Sequence, residues 1–135
     1  MIGFASVEST TEKISQLMDA EIELLDGMAR IQKTRIVKLS GGSHYFTTGL
    51  DMEISFSLLA EEGPTINEAE ILLLPEEFLP FSTALREHAN PFPTNFSQRL
   101  VQQSGTCSIL LKSQESPVQF AERLASALQA ISSHN

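Results

Sequence analysis

Apolar and polar residues alternate most regularly over Met52–Leu58, where Met52, Ile54, Phe56 and Leu58 are separated by Glu53, Ser55 and Ser57. A period of two puts all four apolar side chains on one face of a strand. Ala69–Ala89 reads AEILLLPEEFLPFSTALREHA and organises the chain around it. Its Ile and Leu run predicts a buried strand. Pro75 and two glutamates then punctuate the run, and Phe78, Phe81 and Leu85 recur at helical spacing. A helix that starts at Pro75 would lose a bond at Pro80 and kink; otherwise the regular helix begins near Pro80.

The same patterns continue on either side. Ser9 and Glu12 have capping-box spacing, and Ile14, Leu17 and Met18 form a stripe, which predicts a first helix over about Thr10–Asp19. Ile22 and Leu24 alternate with glutamates ahead of Asp26-Gly27, a pair suited to a type I′ hairpin turn, with Met28–Gln32 as the returning strand. Arg35–Leu39 reads as a further short strand, broken by Ser40-Gly41-Gly42-Ser43, and His44-Tyr45-Phe46 as a loop. Glu61–Pro64 makes a turn. After Asn90-Pro91 and Pro93 stop the second helix, Phe96–Val101 is a strand and Gln102–Gly105 a turn. Cys107, Ile109 and Leu111 share one strand face. Ser116, Pro117 and Gln119 then open a helix whose stripe is Phe120, Leu124, Ala127, Leu128 and Ile131. The expected fold is α+β: one domain over residues 1–135, a mainly antiparallel sheet with about three helices on one face.

Composition narrows the function classes. The chain carries 17 acidic and 9 basic residues, a formal charge of −8, which opposes binding to a phosphate backbone. Its densest basic stretch, Arg30 to Lys38, divides between strand faces, with Arg30 and Lys38 on one and Lys33 and Arg35 on the other. Nucleic acid is not an expected partner. One cysteine excludes an internal disulfide and a multi-cysteine zinc site. The first ten residues lack a basic segment and an apolar core of signal-peptide length, and no stretch has the ~20 apolar residues of a membrane span. A cytoplasmic protein with no membrane partner is the expectation.

Each candidate for chemistry meets a plainer reading. His44 follows a Gly-Gly pair and precedes Tyr45, so a loop could carry it into a site, although a general base also needs a partner within hydrogen-bond reach. Ser40–Ser43 lacks the lysine and the strand-loop-helix setting of a phosphate loop. Cys107 sits on an apolar face, where a thiol is inert. Glu76-Glu77 suit the positive end of a helix dipole, and His88 the negative end. His44, His88 and His134 show no metal-ligand spacing. No metal and no cofactor are expected.

The run Glu70–Phe81, EILLLPEEFLPF, resembles the strand-to-helix segment of the LppY/LpqO-type bacterial proteins, a family of unknown function. There an apolar strand is followed by an acidic pair and by a proline inside the early helix; Glu76, Glu77 and Pro80 occupy those places here. The Asp26-Gly27 hairpin, the strand around Phe96–Val101 and the helix start Pro117–Ala121 are similar in order and spacing, so the likeness spans about Ala20 to Ile131. The resemblance implies a fold more than an activity. The family's histidine-rich patch, on the strand after the second helix, is matched here by Ser97, Gln98 and Arg99. The metal or acid-base role of such a patch finds no histidine in these places. Members are also often lipoproteins or carry two copies of the unit; this sequence shows one copy and no export signal.

The leading expectation is a binding or interaction module rather than an enzyme, self-associating as a homodimer through a sheet edge or an apolar face, or holding a protein partner. A small anionic ligand would be held by Ser97, Gln98 and Arg99 with His44 and Tyr45, the Arg99 fork suiting carboxylate or phosphate. Two alternatives stand beside it: a small hydrolase or isomerase with His44 as base, and a structural oligomer subunit.

Overall fold

A computed structural model describes residues 2–25, 27–41, 44–57, 65–89, 97–103 and 105–132. In chain order they form α1 (Ile2–Met18), β1 (Glu23–Leu25), β2 (Met28–Gly41), β3 (His44–Ser57), β4 (Thr65–Leu73), a 3-10 turn (Pro75–Glu77), α2 (Phe78–Glu87), β5 (Ser97–Gln103), β6 (Thr106–Glu115) and α3 (Pro117–Ser132). The strands make one antiparallel sheet in the order β1-β2-β3-β4-β6-β5. The expected α+β class is the observed one.

Period-two alternation explains why the helices share a face. Ala29 and Ile31 on β2, Met52, Ile54 and Phe56 on β3, Ala69, Ile71 and Leu73 on β4, and Cys107, Ile109 and Leu111 on β6 all point to the same side and are buried. Ile14 and Met18 of α1, Phe81 and Leu85 of α2, and the α3 stripe Phe120, Leu124, Ala127 and Ile131 close over them. Phe120 meets Phe56 edge to face, with ring centroids 6.0 Å apart, the arrangement that aromatic quadrupoles favour. The α3 helix packs against both α1 and α2.

Several expected boundaries move. The first helix begins at Ile2 rather than Thr10, so Ser9 and Glu12 lie inside it and their spacing does not mark its start. Its far end is closed by Lys33, whose Nζ donates to the carbonyls of Met18 (3.3 Å) and Asp19 (2.9 Å). Arg35–Leu39 is not a separate strand: β2 runs unbroken to Gly41. His44, Tyr45 and Phe46 are not a loop; they open β3, with His44 paired to Gly41 and Tyr45 to Ser40. Gly41 is itself a paired residue of β2, so both strands of the ribbon continue into the expected break, of which Gly42 and Ser43 lie outside the described residues. Gln102 and Gln103 belong to β5 rather than to the expected turn; Gly105 has φ +80°, and Ser104 lies outside the described residues.

Other expectations hold. Leu25 pairs with Met28, as the hairpin requires, and Gly27 has a positive φ, +76°; Asp26 lies outside the described residues. The parity of the basic stretch is as read, with Lys33 and Arg35 on the helix-covered face. Pro80 is the third residue of α2, where a backbone N–H would have no intrahelical partner, so the proline removes no bond. Leu58, the Glu61–Pro64 turn, the Asn90–Pro93 stop, Phe96 and His134 lie outside the described residues.

Cys107 is 5% exposed on the core face of β6. Burial, and secondarily the charge of Glu77, push its thiol up. The thiol is expected to resist iodoacetamide at pH 8 in the native protein and to react fully in denaturant, as followed by mass spectrometry. Because the unfolded chain loses this proton first, the contribution to stability is whole below about pH 8.5 and declines as pH rises above it.

Candidate functional site

Strand register separates the residues picked from the sequence. Ser97, Gln98 and Arg99 are exposed on β5, an edge strand. Alternation sends Ser97 and Arg99 to the open face of the sheet and Gln98 to the other. His44 and Tyr45 open β3, at the tip of the β2–β3 ribbon. Ser97 aligns through Lys112 and Glu68 with Ser55 on β3. From Ser55, His44 is about eleven residues along the strand, or ~36 Å at ~3.3 Å per residue. The two groups do not form one site.

Ser97 and Arg99 instead line a concavity of about 420 Å³ on the open face, with Glu53, Glu68, Glu70 and Lys112. Lys112 lies 3.6 Å from Glu68. Three carboxylates stand against two cations here, so an anion would meet net repulsion. A neighbouring concavity of about 520 Å³ is bounded by Thr34, Asp51, Glu53, Glu70 and Ser108. Thr34 donates to Asp51 (2.7 Å), and Ser108 to Glu70 (3.4 Å). Arg30 lies 3.5 Å from Glu23 and 3.9 Å from Glu53. This face is a lattice of half-exposed pairs, each weak on its own.

A different surface is built at the strand-to-helix joint. Glu77 is 6% exposed and accepts from Arg35 Nη1 (3.1 Å), Arg35 Nη2 (2.9 Å) and the backbone N–H of Leu74 (3.0 Å). Arg35 Nη2 also donates to the Leu72 carbonyl (3.2 Å). This bidentate clasp ties β2 to the 3-10 turn and fixes how α2 leaves the sheet. The consequence is the pose of Leu79. It falls one residue off the Phe78, Phe81, Leu85 stripe and is 67% exposed. Beside it a groove of about 700 Å³ runs between α2 and the last turns of α3, floored by Leu74, Pro80, Ala84, Ala130 and Ile131, with Glu76 and Glu87 at its rim.

A second ion pair is sealed in the core. Arg123, 1% exposed, donates from Nη1 (2.8 Å) and Nη2 (2.9 Å) to the two oxygens of Glu115. Ser113 Oγ adds a bond of 2.6 Å. Asn67 Nδ2 donates to the Glu115 carbonyl (3.1 Å), and Thr65 Oγ1 bonds to Asn67 Oδ1. The bonds described tie β4, β6 and α3 to one another, and the network reads as structural.

Sequence reasoning missed both clasps and the groove. The signals were a charged residue on the inward parity of a strand (Arg35, Glu115), another inside a helix stripe (Arg123), and a leucine just off one (Leu79). Among the described residues no three His, Cys, Asp or Glu side chains are grouped to hold a metal ion, and no helix is long and apolar enough to cross a membrane. No family model, curated protein or solved structure matches the chain.

Proposed function

We propose that the protein is a small interaction module that holds a protein partner in the groove between α2 and the end of α3. The observation that carries this reading is the groove with Leu79 beside it: a large apolar side chain at 67% exposure over a floor of apolar and small residues. Such a surface suits docking better than catalysis, since among the described residues its polar lining is Thr83 and the carboxylates of Glu76, Glu77 and Glu87, with no base aligned on a nucleophile. The likeness to the LppY/LpqO-type family, itself of unknown function, supplies no ligand.

Burying Leu79 in a partner would contribute roughly 1.5–3 kcal/mol, about ten- to a hundredfold in affinity. Leu79→Asp is therefore expected to abolish retention of a partner on immobilised protein. Ile36→Asp, on the open sheet face at 70% exposure, is expected to leave it intact. A partner retained by Leu79→Asp and lost by Ile36→Asp would move the docking surface to the sheet and overturn the reading.

A homodimer is favoured by one separate observation. The short β1 covers β2 only at Met28–Arg30, and among the described residues no strand pairs with the rest of that outer edge, Ile31–Gly41. Two such edges can pair about a two-fold axis. Light scattering over a concentration series should then show a doubled mass, with amide exchange slowed along Ile31–Gly41. A monomer at every concentration excludes this mode.

A further inference from the structure

We infer that the occupant of the α2–α3 groove is a basic amphipathic helix of about three turns from another protein, an inference that rests on the docking reading above. Three features of the groove converge on that chemistry.

The first is its rim. Glu76 and Glu87 are both exposed, and among the described residues neither takes part in an ion pair. Glu77 differs: it is buried and committed to Arg35. The groove therefore has an apolar floor, with two rim carboxylates that join no ion pair among the described residues.

The second is its span. The two carboxylates are eleven positions apart, about 16 Å at 1.5 Å per residue. A helix of the same length presents apolar residues at i, i+3 or i+4, and i+7 to the floor, and places Lys or Arg just before and just after that stripe. The floor includes Ala84 and Ala130, small enough for a third helix to approach α2 and α3 closely.

The third is the rest of the molecule. A chain of net charge −8 attracts a basic segment at long range and speeds encounter. The same charge counts against the other occupants. A second copy seated antiparallel in the groove would set Glu76 of one chain against Glu87 of the other, and like charges facing across an interface oppose it. An anionic lipid surface or nucleic acid would meet both carboxylates in the same way.

The test uses the full chain and three synthetic helical peptides of equal length. One carries a Leu stripe flanked by Lys, the second the same stripe flanked by Glu, and the third has Lys flanks with the Leu positions scrambled. Calorimetric titration at low salt should show the Lys-flanked peptide binding at least about tenfold more tightly than either other peptide, with the advantage shrinking as salt rises. Glu76→Lys/Glu87→Lys should reverse the preference toward the Glu-flanked peptide. Both sites are exposed, so the fold is retained, checked by circular dichroism.

Equal binding of the Lys- and Glu-flanked peptides, lost in Leu79→Asp, would overturn the basic partner and leave groove docking standing. Equal binding of the scrambled peptide would reduce the effect to charge alone and overturn the helix. No peptide binding, with a partner still retained through Leu79, would overturn the helical occupant only; no peptide binding and no Leu79-dependent partner would overturn both readings.

Discussion

Arg123→Ala is expected to lower the unfolding free energy by roughly 3–5 kcal/mol, because it leaves the Glu115 carboxylate buried without its cation. Arg123 is 1% exposed and supplies two short bonds to Glu115; after truncation only Ser113 Oγ among these donors still reaches that carboxylate. A loss of this size is a large part of the 5–15 kcal/mol that holds a typical domain together. The triple change Arg123→Met/Glu115→Leu/Ser113→Ala is expected to recover most of it, since apolar groups of similar volume remove the desolvation cost along with the attraction. The bonds from Asn67 and Thr65 survive because they go to the Glu115 backbone carbonyl. Urea unfolding followed by fluorescence-free circular dichroism measures both variants. A cost under about 1 kcal/mol for Arg123→Ala would mean the pair is solvated and contributes as a surface pair does.

Glu77→Ala is expected to cost roughly 2–4 kcal/mol and, in addition, to weaken docking. The change strips three acceptor contacts at once and leaves Arg35, whose side chain is 13% exposed, without a counter-charge. The Leu74 N–H, which opens the 3-10 turn, is orphaned with it. Since that turn sets the direction of α2, the pose of Leu79 relaxes and the groove loses its shape. Glu77→Gln keeps an oxygen for the Leu74 N–H and should recover part of the stability. The two effects separate in a melt and a binding titration. A variant that melts early yet binds normally would show that the clasp does not position the groove.

The elements that were legible in the sequence are those where period, capping and burial agree. Met52–Phe56, Ile71 and Leu73, and Cys107–Leu111 alternate cleanly, and α3 combines Pro117 with a full apolar stripe. The long β2–β3 ribbon was not legible. Beyond Leu50 its strands pair chiefly with each other, so alternation weakens and Ser40–Ser43 looks like a break although Ser40 and Gly41 are paired. That is why His44 and Tyr45 read as a loop. The division of Ser97 and Arg99 from Gln98 follows from the period of two itself. The groove was hidden for a different reason: it joins Leu79 on one helix to Ala130 and Ile131 at the far end of the chain, and no local pattern links them. The buried Arg123–Glu115 pair is the intermediate case, marked by two charges at inward positions whose meeting only the register reveals.

The most direct test of the docking surface is an amide chemical-shift map of the isotope-labelled full chain titrated with the Lys-flanked peptide. Shifts concentrated on Leu79–Glu87 and at Ala130 and Ile131 are the predicted result. Shifts concentrated on Glu53, Glu70 and Arg99 of the open sheet face, with α2 unmoved, would contradict it.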